Sequence, residues 1–375
     1  METIKIFLSS ETVILNCPTQ IPFIHAISTL VNTTINSFEF NLCPITPTPF
    51  DFTGFLACFS PLSVQKFVLS TMGYEFDFEI LQHFKNLKGL EVFSDTWTSE
   101  STQIFTTHIS SITQLTNFRI SLRKCGQLGT SMILSAIDNF KYLTYIGLHT
   151  IDHVMPQSVI SSLSTRHNLK DLNLSSCFLT FDQVQIIFDF LKVAVELESL
   201  SLMMCLRDRA KPNNKFYMDG LANSKSLLTF DISWGFKRFV DDNRCSAGIP
   251  IEITQLTEAQ FQGIENIIVR NCRIHTLVLS DNMFTNSQFS KLSQILKCNT
   301  SVRELSISLD NQLEFSLLGH ALSCNRSIEV LDLGYCSFNE TTVKPLVTAC
   351  KGRSIKVKNS HRACSEMFVK LLSSS

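Results

Sequence analysis

The stretch "NLKDLNLSSCFLT" (168–180) sets Leu169, Leu172, Leu174, Cys177 and Leu179 at intervals of three, two, three and two residues. A helix repeats its buried positions every three or four residues and a strand every two, so this mixture describes a short strand that turns away at once. The pattern returns with its first apolar residue at Ile35, Val64, Leu87, Leu115, Leu143, Leu169, Leu197, Leu227, Ile274, Val302 and Ile328, and a degenerate copy in register with Gly352 keeps Ile355 and Val357. Twelve copies at a step of about 29 residues allow few folds. One unit cannot bury its own apolar strand and helix face, so the units must stack, each on the next.

Within a unit, the residues written L-x-x-L-x-L form a strand. Its inward side chains, such as Phe118 and Ile120 or Leu172 and Leu174, enter the core while those between them face outward. At position nine, Cys43, Cys177, Cys205, Asn282 and Cys336 offer a small side chain that can bond exposed backbone in the turn. A helix follows. Four capping boxes announce it: Thr180 with Gln183, Thr257 with Gln260, Thr285 with Gln288, and Ser337 with Glu340. Val184, Ile187, Phe188 and Leu191 then repeat at helical spacing. The return to the next strand recurs as "KCNTSV", "SCNRSI" and "ACKGRSI", which places Cys298, Cys324 and Cys350 as packing residues at helix ends.

These repeats resemble the leucine-rich repeats of the ribonuclease-inhibitor-like class, whose units have 28 or 29 residues. The resemblance implies an α/β solenoid, a horseshoe with parallel strands on the concave face and helices on the convex face. It covers roughly residues 30 to 358. Phe38, Phe40, Phe67 and Phe230 depart from it by replacing leucine. So do a step of 23 residues from Val64 to Leu87 and Trp97 in a slot usually given to leucine. The expected organisation is a capping segment at 1–34 with strands at Ile4 to Leu8 and Val13 to Leu15, an array at 35–358, and a C-terminal cap at 359–375 around Met367, Phe368 and Leu371.

Composition narrows the setting. Lys and Arg number 32 against 33 Asp and Glu, so no electrostatic footprint for nucleic acid or an anionic membrane follows. No window approaches 18 unbroken apolar residues, so membrane insertion is not expected. Thirteen dispersed cysteines read as reduced thiols of an intracellular, cytoplasmic protein, with a nuclear setting also open.

The outward strand positions are the natural place for a partner. In the middle of the array they present Tyr145, His149, Asp171, Asn173, Met203, Met204, Asp231 and Trp234; further on come Asp281, Asp332 and Tyr335. Large side chains with few torsions contribute contact area at low entropic cost. The step from Leu227 to Ile274 is 47 residues long and holds an insertion at 236–254, in which Phe236, Arg238 and Phe239 mix aromatic and charged groups. No phosphate loop, nucleophile elbow, zinc-protease helix or paired C-x-x-C occurs. His149 and His153 have helical ligand spacing, but the repeat puts one on a strand and the other in a turn. The expectation is a non-catalytic scaffold, without cofactor or metal, that binds another protein through the concave face and the inserted loop. The alternative is a regulator of a small GTPase or of actin assembly, since the same repeat class resembles the activators of Ran-type GTPases; Arg123 or Arg238 would then reach over a nucleotide.

Overall fold

A computed structural model describes residues 6–9, 12–17, 37–42, 64–71, 76–150, 154–203, 220–221, 224–233, 256–280, 282–309, 311–334, 336, 338–359 and 362–373. The chain divides into two compact units, Met1–Phe178 and Leu179–Ser375.

The first unit carries β1 (Ile6–Ser9), β2 (Thr12–Cys17), β3 (Ser37–Leu42), β4 (Lys66–Thr71), β5 (Gly89–Ser94), β6 (Asn117–Leu122), β7 (Tyr145–His149) and β8 (Asp171–Asn173). β1 runs antiparallel to β2, and every strand from β2 to β8 lies parallel to the next. The register follows the repeat: Leu90, Phe118, Ile146 and Leu172 are successive partners across β5 to β8, and all four are fully buried. Equal repeat lengths bring equal positions side by side, so the apolar residues stack into one spine. The apolar N-terminal runs form strands near the expected places, although the observed β1 extends to Ser9 and β2 spans six residues.

The short step from Val64 to Leu87 has a structural answer. Its connection is a 3-10 helix of six residues, Phe78–His83, capped by Asp77, whose carboxylate accepts from the Glu79 N–H at 2.9 Å. A tight turn needs fewer residues, and aromatic bulk fills the space that a full helix would occupy. Phe78 stacks on Trp97 at 5.1 Å and meets Phe105 edge-on at 4.9 Å. Trp97 is buried, and its Nε1–H donates to the Ser121 carbonyl at 3.1 Å. The indole thus holds the leucine slot by satisfying its one polar atom.

The second unit carries β9 (Ser199–Ser201), β10 (Thr229–Asp231), β11 (Thr276–Leu279), β12 (Glu304–Ile307), β13 (Val330–Asp332) and β14 (Lys356–Lys358), all parallel. Leu200, Phe230, Leu277, Leu305 and Leu331 form its buried row. Helices Phe181–Phe190, Glu258–Arg270 and Asn286–Cys298 begin with the expected boxes at Thr180, Thr257 and Thr285. The expected box of Ser337 with Glu340 is corrected. Helix Glu340–Cys350 is capped by Asn339, whose side chain accepts from the Thr342 N–H at 2.9 Å, and Glu340 is its first residue. In the first unit, Thr98 forms a further box with Ser101 ahead of helix Ser99–Ile109, where a search for Glu or Gln at the third position does not find it. The C-terminal helix Arg362–Ser373 buries Phe368, whose ring meets Phe338 at 6.5 Å.

The recurring "CN" pair is also corrected. Cys298 and Cys324 are exposed, and only Cys350 of the three is buried. The neighbouring asparagine does the structural work. Asn325 donates to the carbonyls of Leu296 and Asn299, both at 2.7 Å, and accepts from the N–H groups of Ser327 and Ile328, both at 2.9 Å. Asn299 repeats this with Ile268, Ser301 and Val302, and Asn271 with Leu221 and Arg273. Each carboxamide ties one turn to its predecessor. At the corresponding place, three residues before the strand's first apolar residue, the first unit has buried Phe84, Ile112 and Phe140.

At position nine the thiols have the expected post. The Cys177 thiol donates to the Leu148 carbonyl at 2.9 Å, and the Cys336 sulfur accepts from the Leu309 N–H at 3.0 Å. Asn282 donates to the Ile232 and Leu279 carbonyls. Cys43 and Cys205 lie outside the described residues.

Candidate functional site

Side chains on the strand alternate between the buried spine and an open face. Parallel register arranges the open positions of β5 to β8 into rows. One row runs Gly89, Asn117, Tyr145, Asp171; the next runs Glu91, Arg119, Gly147, Asn173; the third runs Phe93, Ser121, His149. Apart from the two glycines, each of these residues is partly exposed. The expected outward residues of the first unit, Tyr145, His149 and Asp171, therefore share one face.

Two glycines shape that face. The side chain of Lys66 on β4 lies over Gly89, where a Cβ would meet Lys66 Cγ at 3.2 Å, and its ammonium reaches Glu91 at 2.8 Å. Arg119 on β6 lies over Gly147 in the same way. A Cβ there would come within 2.8 Å of Arg119 Cγ and 3.2 Å of the Tyr145 hydroxyl. The guanidinium carbon rests 4.9 Å from the centre of the Phe93 ring, a cation–π contact. Arg119 Nε and His149 Nε2 are both buried and have no hydrogen-bond partner among the described residues. Burial, followed by the charge of Arg119, lowers the His149 pKa to about 4. His149 is therefore neutral near pH 7, with one ring nitrogen able to donate. The Tyr145 pKa is raised, first by burial and then by Asp171 and Glu91, against the opposing pull of Arg119.

Arg119, Gly147 and Phe93 are absent from the outward residues singled out in the sequence. Arg119 and Gly147 stand 28 residues apart at the same repeat position, and the glycine leaves a gap where neighbouring copies carry a side chain. That gap was the readable sign of a leaning neighbour.

In the second unit, Met203 and Asp231 are partly exposed. Asp231 has structural duties: one carboxylate oxygen accepts from the Ser201 hydroxyl at 2.9 Å and the other from the Ser233 N–H at 3.1 Å. Asp332 accepts from Gly334 N–H and Asn173 from Ser175 N–H in the same fashion, so an Asx residue ending the strand bends the chain into its turn. Met204, Trp234, Phe236, Arg238, Phe239 and Tyr335 lie outside the described residues, as do Asp281, His153 and the whole insertion at 236–254. Arg123 is exposed in the turn after β6. Among the described residues, no three His, Cys, Asp or Glu side chains are grouped to hold a metal ion, and no helix is long and apolar enough to cross a membrane.

No family model matches the sequence, and no curated protein matches it. Solved structures similar in backbone include an internalin from Listeria monocytogenes, at 12% identity and a TM-score of 0.42, over 77% of this chain and 71% of that one. A chain of the yeast Rad7 and Elc1 complex is similar at 15% identity and a TM-score of 0.46, over 92% and 85% of the two chains. A leucine-rich repeat protein of Leptospira interrogans is similar at 14% identity and a TM-score of 0.42, over 92% and 84%. The repeat period, the parallel ladder and the helical returns together make this a leucine-rich-repeat fold.

Proposed function

We propose that this chain is a non-catalytic protein-binding module that receives its partner on the open strand face of β5 to β8. The observation that carries the reading is the field formed by Phe93, Arg119, Tyr145 and His149. These are aromatic and cationic side chains, partly exposed, held on rigid strands, and including two buried nitrogens without hydrogen-bond partners among the described residues. Tyr and Arg are the side chains that dominate protein interfaces, and fixing them on a ladder removes most of the entropy cost of ordering them. The inserted loop at 236–254 is a second contact region in this proposal, on its sequence character alone.

Site-specific photo-crosslinking tests the reading. A benzophenone side chain replacing Tyr145 or His149 should yield protein adducts in cell extract, whereas the same group at exposed Gln103 or Thr107 on helix Ser99–Ile109 should not. Adducts from the helix positions alone would transfer the interface to the other layer.

A further inference from the structure

We propose that Arg119 anchors a single carboxylate carried on an otherwise neutral extended segment of the protein partner, seated between Phe93 and His149. This rests on the protein-binding reading above and specifies the chemistry of what it binds.

The two leaning cations of the face provide the comparison. Lys66 crosses Gly89 and ends on a carboxylate, Glu91, at 2.8 Å. Arg119 crosses Gly147 and ends over the Phe93 ring, with no ion pair among the described residues. Glu91 sits in the same row as Arg119 but is committed to Lys66. Asp171 belongs to the row of Tyr145, one row removed. Among the described residues, one face therefore holds a neutralised cation and an unneutralised one. A guanidinium resting over an aromatic ring still offers a planar fork that suits a carboxylate's two oxygens. His149 adds a neutral imidazole nitrogen, buried and unbonded among the described residues, across Ser121 from Phe93.

The surroundings choose a protein over a polyanion. The chain's formal charge is −1, which supplies no electrostatic footprint for a nucleic acid backbone to follow. A single carboxylate in an otherwise neutral extended segment matches Arg119, which has no ion pair among the described residues. Phe93 to His149 spans two strand spacings, about 10 Å, which admits one chain laid across the ladder.

The test uses the full chain and immobilised nine-residue peptides with randomised flanks and a fixed central Glu, Gln, Lys or phosphoserine. Retention on the Glu-centred set should exceed that on the Gln- and Lys-centred sets at least tenfold. Arg119→Gln should abolish the difference. Gly147→Val should do so as well, by displacing the Arg119 side chain, since a Cβ at that position comes within 2.8 Å of Arg119 Cγ. Equal retention on Glu and Gln, preference for phosphoserine, retention on no set, or an Arg119→Gln chain that still discriminates would each overturn the proposal. If crosslinks from position 145 form while the peptide sets are not discriminated, the face is right and the anchor wrong; if no crosslink forms from position 145 in a chain that keeps Arg119, the interface itself is misplaced.

Discussion

Single residues in this protein earn their positions by satisfying backbone as often as by filling space. Asn325 is the clearest case, with two donations and two acceptances from one buried carboxamide. Asn325→Ala leaves two buried carbonyls and two N–H groups without those partners, and should lower the unfolding free energy by about 2–4 kcal/mol. Asn325→Asp keeps both acceptor bonds and loses both donors, so denaturant titration should place it between wild type and alanine only if repulsion with the two carbonyls is mild. His149 supplies a pH signature. Its pKa is about 4 in the folded protein against 6.5 for the free side chain, so the unfolded chain binds the extra proton first as pH falls. The associated stability is complete above pH 6.5 and disappears as pH drops towards 4. Between pH 7 and pH 5 it should amount to about 2 kcal/mol, and the His149→Asn chain should lack that part of the decline.

At the scale of elements, helix starts and strand spines were legible in the sequence, and helix ends were not. Leu169, Leu172, Leu174, Cys177 and Leu179 are all fully buried because a strand-then-turn geometry admits only one inward set. The boxes at Thr180, Thr257 and Thr285 were readable because both partners lie within four residues. The C-terminal return misled because two polar-tolerant residues, Cys and Asn, recur together, and only the path of the previous turn shows which one faces it. The Asn339 cap was missed for a related reason: Ser337 and Glu340 have the right spacing, but the chain enters the helix two residues later. Arg119 with Gly147 and Phe93 was invisible to a reading taken one repeat at a time, since the contact crosses three strands. Thr285→Ala should cost about 1 kcal/mol through loss of the cap, and hydrogen exchange should quicken first at the Gln288 amide, which the Thr285 hydroxyl accepts from at 3.2 Å. Trp97→Phe should cost about 1 kcal/mol for the lost donation to Ser121 while keeping most of the aromatic stack.

At the scale of the molecule, each unit is a stack in which every turn depends on its neighbours. Leu305 sits between Leu277 and Leu331 in the buried row of the second unit. Leu305→Ala should cost about 3 kcal/mol, and the lost exchange protection should centre on β12, spread to β11 and β13, and fade within a further turn. Uniform loss throughout Leu179–Ser375 would instead indicate one all-or-none unit.

The division of each strand into an inner and an outer side underlies both the fold and the binding face, and thiol labelling along β7 tests it most directly. Cysteine placed singly at 145 and 149 should react with a maleimide in the native chain, read by peptide mass spectrometry, while cysteine at 146 and 148 should react only on unfolding. Reaction at 146 and 148 with protection at 145 and 149 would invert the face and contradict the account.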